Sequence, residues 1–165
     1  MDLLLWRHAE AEEGTVDMER QLTKKGRKQA KTMADWIIRH APRDLRVLVS
    51  PALRCMQTAS ALNLPYQEEP RLLPETSIAA MISACGWPDS PTPIIIVGHQ
   101  PCLGLLASTL LAGHASPWSI KKGALWWISC RTQRGKTETR LLAATTAELA
   151  AAPWKSLSPP HTQKF

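Results

Sequence analysis

Three short apolar runs constrain the fold of this chain more than any other feature. They lie within residues 3–6, 46–49 and 94–97, and the third run is bounded by Pro93 and Gly98. A strand with one face in water alternates apolar and polar residues, whereas a continuous apolar run is typical of a strand buried on both faces. The sequence therefore predicts a sheet that is covered on both sides.

Segments with helical periodicity separate these predicted strands. Apolar residues recur at intervals of three and four between Thr23 and Ala41, which predicts a first helix there. Ser50 and Pro51 are a favoured N-cap and a favoured first helical residue, and they predict a second helix over 51–62. The remaining predicted elements are a helix that starts at 74–76 and stops at Gly86, a helix after Pro101, and strands over 124–129 and 139–144.

The alternation of strands and helices indicates the fold class. Strands joined through helices pair in parallel by right-handed crossovers. We therefore expect an α/β protein, a three-layer α/β/α sandwich with a mostly parallel central sheet. The chain has 165 residues, which suffices for one domain. We place that domain at residues 1–152 and expect the Pro-rich residues 153–165 to form a fraying C-terminal tail.

Composition restricts the possible partners. The formal net charge of +6 permits an anionic partner but does not choose among a phosphorylated protein, a nucleotide and a nucleic acid. The densest basic cluster, within residues 24–31, has helical spacing and lacks base-stacking aromatic residues, so we interpret it as a solvated helix face and expect no nucleic acid.

Without a membrane-length apolar run or a secretory signal pattern, we expect a cytoplasmic protein with no membrane partner. Four scattered cysteines predict reduced, buried thiols.

Reactive side chains follow all three apolar runs. Arg7 and His8 follow the first run, Ser50 to Arg54 follow the second, and His99 follows the third. Ligands of parallel sheets bind beyond the carboxyl ends of the strands, so we expect these residues to meet there. Arg54 falls in the first turn of its predicted helix, where a cation opposes the helix dipole. A bound dianion would reverse that effect, because it would pair with the guanidinium and with free backbone N–H groups.

This set of side chains suits phosphoryl transfer. Negative charge spreads over three oxygens of a phosphoryl group in transfer, and Arg7, Arg54 and His99 can bind them. A neutral His8 can attack in line if a hydrogen bond to its other ring nitrogen fixes the tautomer. The sequence thus predicts a phosphohistidine intermediate that water hydrolyses, with no metal and no cofactor.

Four blocks of the sequence resemble the histidine phosphatase superfamily, also called the phosphoglycerate mutase-like family. The blocks are Leu5-Trp6-Arg7-His8-Ala9-Glu10, Leu22-Thr23-x-x-Gly26-x-x-Gln29-Ala30, Ser50-Pro51-x-x-Arg54-x-x-Gln57-Thr58-Ala59 and Val97-Gly98-His99-Gln100-Pro101. The resemblance implies an α/β/α sandwich in which His8 is the nucleophile and Arg7, Arg54 and His99 form the phosphate pocket.

The resemblance also suggests a general acid and a subfamily. Many members use an acidic residue in the middle of the chain, and Glu75 resembles it; alternatively, Glu75 only complements a helix N-terminus. The short segments between Arg54 and His99 leave no room for a lid insertion, so we expect a shallow, open pocket. This is similar to the compact SixA-type phosphohistidine phosphatases and implies a phosphorylated protein, such as a phosphotransfer domain, as substrate and partner.

Two other functions remain open at this point. One is a small-molecule phosphomonoesterase that acts on a sugar or nucleotide phosphate. The other is a non-catalytic phosphohistidine-binding module, against which the presence of both His8 and His99 argues. One residue departs from the family pattern, because Ala9 stands where the family usually has Gly. The change is harmless unless that position needs a positive φ.

Overall fold

A six-stranded sheet forms the centre of the protein. The computed structural model describes residues 1–151, so the tail predicted at 153–165 lies outside the described residues. The strands are β1 (Asp2–Arg7), β2 (Arg46–Val49), β3 (Gln67–Glu68), β4 (Ile94–Gly98), β5 (Leu125–Gln133) and β6 (Lys136–Thr145). The helices are α1 (Lys24–His40), α2 (Leu53–Ser60), α3 (Ile78–Cys85), α4 (Cys102–Ala112) and α5 (Ala147–Ala151). Two short 3-10 helices, Asp17–Glu19 and Pro70–Leu72, lie in the connections.

The sheet combines a parallel part and an antiparallel part. Its strand order is β3-β2-β4-β1-β5-β6. The first four strands in this order pair in parallel, as the alternation of strands and helices predicts. β5 pairs antiparallel with β1 and with β6, which makes the sheet mixed. The predicted α/β class is confirmed.

β1 separates two hydrophobic cores. Leu3 and Leu5 point to one face of the sheet and pack with residues of α3 and α4. Leu4 and Trp6 point to the other face and pack with residues of α1 and α2. All four side chains are fully buried, and burial of one leucine side chain contributes about 2 kcal/mol. Helices therefore cover both faces, and the three predicted layers are present.

Two helices begin later than the sequence predicts. α2 begins at Leu53 and ends at Ser60, and its N-cap Ala52 offers no side-chain hydrogen bond. The predicted N-cap, Ser50, instead places its hydroxyl within hydrogen-bond distance of a histidine ring, because it lies at the end of β2. α3 begins at Ile78 rather than at 74–76, since the Ser77 hydroxyl accepts the free N–H of Ala80 at 3.1 Å and so fixes the start.

Two expectations from composition can be compared with the structure. Cys55, Cys85, Cys102 and Cys130 are all buried and free, as their scattered spacing predicts. None of the helices within residues 1–151 has both the length and the apolar character needed to cross a bilayer.

Candidate active site

The three adjacent strands β2, β4 and β1 bring the predicted site residues together at one edge of the sheet. The His8 N–H donates to the Gly98 carbonyl at 3.1 Å, and the Ser50 N–H donates to the Val97 carbonyl at 3.0 Å. These bonds continue the parallel ladder just past the strand ends, so the side chains that follow each strand are fixed against one another. The His8 and His99 rings lie 5.4 Å apart, measured between their centroids.

The hydrogen bond of the His8 ring leaves one nitrogen free. Nδ1 lies 2.8 Å from the Ala9 carbonyl oxygen, and a carbonyl can only accept, so Nδ1 carries the proton. Nε2 is then an unprotonated nitrogen with a lone pair. Burial lowers the pKa of His8 to about 4, and the nearby arginines act in the same direction. The ring is therefore neutral at pH 7, as a nucleophile must be.

The His99 ring is held between Ser50 and Arg54. Its Nδ1 lies 3.3 Å from an Arg54 guanidinium nitrogen, which can only donate, so Nδ1 accepts and the proton lies on Nε2. Nε2 donates to the Ser50 hydroxyl at 2.8 Å. Burial lowers the pKa of His99 to about 3, and His8, once it is protonated in acid, and Arg54 act in the same direction. His99 is therefore neutral at pH 7; Arg54 sets its tautomer, and Ser50 accepts the Nε2 proton.

The two guanidinium groups retain donors that no atom of the described chain accepts. Arg54 is 4% exposed; its Nη1 donates to the Asp17 carbonyl at 2.7 Å and its Nη2 to the Asp17 carboxylate at 3.0 Å. Arg7 donates from Nη1 to the Ile120 carbonyl at 2.7 Å. The Nε of each arginine is buried and lacks a partner within residues 1–151. Buried N–H donors are nearly always paired, so these two indicate a place for an acceptor such as an oxyanion.

The candidate site residues lie below the protein surface. His8, Arg54 and His99 are exposed by only 7%, 4% and 4%. The 3-10 helix Asp17–Glu19, which precedes α1, contacts this group through the ion pair of Asp17 with Arg54. The shallow, open pocket stays a prediction. Hydrogen bonds from Arg20 and then from Arg54 lower the pKa of Asp17, so its carboxylate is charged at pH 7. Nothing local in the sequence links Asp17 to Arg54, which lies 37 residues away.

Side chains from two helices hold the loop that follows His8. The Ala9 N–H donates to the Thr58 hydroxyl at 3.1 Å, and the Glu10 N–H donates to the Gln29 side chain at 3.0 Å. Both partners lie in blocks that resemble the family, but their sequence alone assigns them no role. One feature of the sequence could have indicated them: each is a polar residue on the buried face of a helix. Gln29 lies beside the buried Ala30, and Thr58 lies beside the buried Ala59. Ala9 has no positive φ, so its departure from the family pattern is harmless.

Gly26 lets α1 approach this same loop. A Cβ at Gly26 would lie 1.9 Å from the Glu10 carbonyl oxygen, so only glycine fits this contact. The same oxygen accepts the Thr23 N–H at 3.0 Å, and the Thr23 hydroxyl caps α1 by accepting the Gly26 N–H at 2.8 Å. The N-terminus of α1 is thus docked on the backbone two residues after His8.

Glu75 lies in an exposed turn between the 3-10 helix Pro70–Leu72 and α3, with a φ of 66°. Within residues 1–151 its carboxylate makes no ion pair with Arg7 or Arg54. The neighbouring Thr76 carbonyl accepts from the Cys102 thiol at 3.4 Å, which places this turn beside the start of α4 and hence near His99. A general-acid role for Glu75 stays a prediction. In the described part of the chain, no three side chains of His, Cys, Asp or Glu are grouped to hold a metal ion.

Comparisons with known proteins give the family. The family model of the histidine phosphatase superfamily (branch 1) matches residues 3–76. The phosphohistidine phosphatase SixA of Escherichia coli (strain K12) is 30% identical over 129 residues, which cover 71% of this chain and 78% of that protein.

Solved structures share the fold. The protein histidine phosphatase SixA complexed with tungstate has a TM-score of 0.72 at 24% identity, over 89% of this chain and 97% of that chain. The mycobacterial glucosyl-3-phosphoglycerate phosphatase with inorganic phosphate has a TM-score of 0.63 at 17% identity, over 89% of this chain and 98% of that chain. The neighbours therefore include both a protein phosphatase and a small-molecule phosphatase.

Proposed function

The chain belongs to the histidine phosphatase superfamily, and from this premise we propose that it removes phosphate from phosphohistidine on a protein through a phosphohistidine intermediate on His8. The observation that carries the proposal is the His8 ring itself. Its Nδ1 is bonded to the Ala9 carbonyl, its Nε2 is free, and its pKa is low enough to keep the ring neutral at pH 7. The buried guanidinium of Arg54 and the half-buried guanidinium of Arg7 lie beside it, each with a buried Nε–H.

In the first step, the lone pair of His8 Nε2 attacks the phosphorus atom of the substrate. The new N–P bond forms as the P–N bond to the substrate imidazole breaks, and the departing imidazole takes a proton. The Nε–H groups of Arg7 and Arg54 are the unpaired donors for the phosphoryl oxygens, and they stabilise the charge that spreads over those oxygens. Asp17 stays on the other nitrogens of Arg54 and fixes its orientation.

In the second step, water attacks the phosphorus atom of phosphorylated His8. The bond to Nε2 breaks, inorganic phosphate leaves, and the neutral ring is restored. We propose that neither step uses a metal ion, since the two guanidinium groups supply the positive charge that the phosphoryl oxygens require.

The leaving group decides how much a general acid matters. A departing imidazole has a pKa near 6.5 and is readily protonated at neutral pH. An alkoxide from a sugar phosphate is far more basic and needs a positioned acid. Glu75 is our candidate for that acid, and its exposed position suits a residue needed only for alkyl phosphates.

The 30% sequence identity to SixA supports a protein substrate. The fold shared with a glucosyl-3-phosphoglycerate phosphatase supports a small-molecule substrate as the alternative. The test compares phosphate release from a phosphohistidine-containing phosphotransfer domain, a sugar phosphate and an aryl phosphate, with and without a chelator. His8→Ala is the inactive control, and Lys28→Ala, a change on the exposed face of α1, is the matched surface control.

The proposal expects kcat/KM for the phosphohistidine protein to exceed that for the sugar phosphate by about 100-fold, which corresponds to ~2.7 kcal/mol of transition-state stabilisation. A quenched reaction should also hold phosphate on the enzyme in an acid-labile, alkali-stable form that His8→Ala lacks. A higher kcat/KM for the sugar phosphate than for the phosphohistidine protein would contradict the proposed substrate class. If His8→Ala held as much phosphate as the wild type, His8 would not be the nucleophile.

A further inference from the structure

A basic hollow lies on the hairpin of β5 and β6, at the opposite end of the sheet from the candidate active site. β5 begins beside Trp6 and runs antiparallel to β1, so its last residues lie far from His8. The hollow has a volume of about 640 Å³. We call it the hairpin hollow, and the lining residues that matter here are Ser129, Arg131, Arg134, Lys136, Glu138 and Arg140.

The charges of the hairpin hollow are unbalanced. Four cations against the single carboxylate of Glu138 leave a net charge of +3 in the lining. Glu138 pairs with Arg140 at 2.5 Å, while within residues 1–151 the other three cations have no carboxylate within 4.0 Å. Asp2 and Asp44 line a separate neighbouring hollow with Arg131. The sequence of residues 152–165 contains no Asp or Glu.

Two buried donors without partners lie on this face of β5. Ser129 is 4% exposed, lines the hollow, and its hydroxyl has no hydrogen-bond partner among the described residues. The indole N–H of Trp127, two residues earlier and hence on the same face of the strand, is also buried without a partner there. Buried polar groups are rarely unpaired, so the Ser129 hydroxyl, which lies beside four cations in the lining, points to a missing acceptor; Trp127 is not part of the lining but lies two residues away on the same face.

We propose that the hairpin hollow binds a small molecule that carries two or three linked phosphate groups. Guanidinium groups bind phosphate oxygens with two parallel hydrogen bonds, and the lining offers three of them. A single phosphate ion would leave most of the 640 Å³ unfilled and would not balance a charge of +3. The site is independent of the phosphate pocket at His8, because it shares none of its residues.

The experiment titrates the full-length protein with pyrophosphate and tripolyphosphate and follows the Trp127 indole N–H by NMR. The chain has seven tryptophans, and the Trp127 signal is assigned by its loss in Trp127→Phe. We expect a saturable shift of this signal, with tripolyphosphate binding more tightly than pyrophosphate, and a weaker response to orthophosphate.

Three variants test where the ligand sits. Arg134→Glu with Lys136→Glu reverses two exposed charges near the turn, and we expect at least a tenfold loss of affinity. Lys24→Glu with Lys28→Glu makes the same change of charge on α1 and should leave the affinity within twofold. Ser129→Ala should weaken binding roughly tenfold without lowering the urea midpoint, since it removes a hydroxyl that has no partner in the described structure. The hairpin variants should keep wild-type kcat/KM for an aryl phosphate.

Several outcomes would overturn the proposal. One is a Trp127 signal that does not respond to either polyphosphate at millimolar concentration. A second is an equal loss of affinity in the α1 control, which would indicate non-specific attraction to a basic protein. A third is binding of single-stranded oligonucleotides that strengthens with their length and exceeds that of tripolyphosphate, which would indicate a nucleic-acid surface instead.

Discussion

Replacement of Gly26 by alanine should damage both stability and catalysis. The added Cβ would lie 1.9 Å from the Glu10 carbonyl oxygen, whereas such contacts are essentially never below about 3 Å. The helix and the loop after His8 must therefore separate by more than 1 Å. Overpacking of this kind costs about 1–3 kcal/mol, and loss of the Thr23 to Glu10 hydrogen bond costs about 1 kcal/mol more. A displacement of 1 Å near a reacting group lowers the rate by about 100-fold.

Helix propensity predicts the opposite sign. Alanine is favoured over glycine inside a helix by about 1 kcal/mol, so if only the propensity of α1 mattered, Gly26→Ala would stabilise the protein. Urea unfolding and kcat/KM for an aryl phosphate, measured on the same preparation, separate the two expectations. Ile37→Ala is the matched control on α1, because it removes buried side-chain volume far from the His8 loop.

We expect Ile37→Ala to cost about 2–5 kcal/mol of stability while kcat/KM stays within twofold at a temperature where the variant is folded. Gly26→Ala should lose about 3 kcal/mol and also about 100-fold in kcat/KM. If Gly26→Ala were as stable and as active as the wild type, the close docking of α1 on Glu10 would not position the nucleophile. Equal losses of activity in both variants would refute the local argument as well.

Three further predictions concern single side chains. Thr58→Val keeps the shape but leaves the Ala9 N–H without an acceptor, so urea unfolding should show a loss of about 1–3 kcal/mol, and an unchanged midpoint would contradict the bond. Burial lowers the pKa of His8 and of His99 below the usual 6.5, so on acidification these histidines bind protons at a higher pH in the unfolded chain than in the folded protein. The free energy of unfolding should therefore be highest above pH 6.5 and fall as the pH drops towards 4. Urea midpoints between pH 7 and 4 check this, and His8→Gln should flatten the slope. Glu75→Gln should leave kcat/KM for phosphohistidine within twofold of the wild type and lower kcat/KM for an alkyl phosphate by about 100-fold. If the variant lost the same factor on both substrates, Glu75 would not be the general acid.

The positions of the main strands and of the candidate site could be predicted because they depend on local pattern. An apolar run marks a buried strand, and a parallel sheet gathers the residues that follow such strands. Arg7, His8 and His99 were found in this way, and the structure places their backbone segments side by side.

The partners of these residues could not be predicted from local pattern. Ser50 has the properties of an N-cap, and only the arrival of His99, 49 residues later in the chain, makes its hydroxyl a partner of that ring. Asp17 is half exposed and looks like a surface acid until the fold brings Arg54 to it. The antiparallel direction of β5 depends in the same way on contacts that no short segment carries.

The proposed nucleophile, His8, directly follows β1. β1 is paired on both edges and packed on both faces, so its amide protons should exchange with solvent only when the whole molecule opens. Heating should therefore not unfold this strand before the rest of the protein unfolds. Turnover should persist up to the melting transition and vanish within it, so that a thermal inactivation curve and a calorimetric scan coincide.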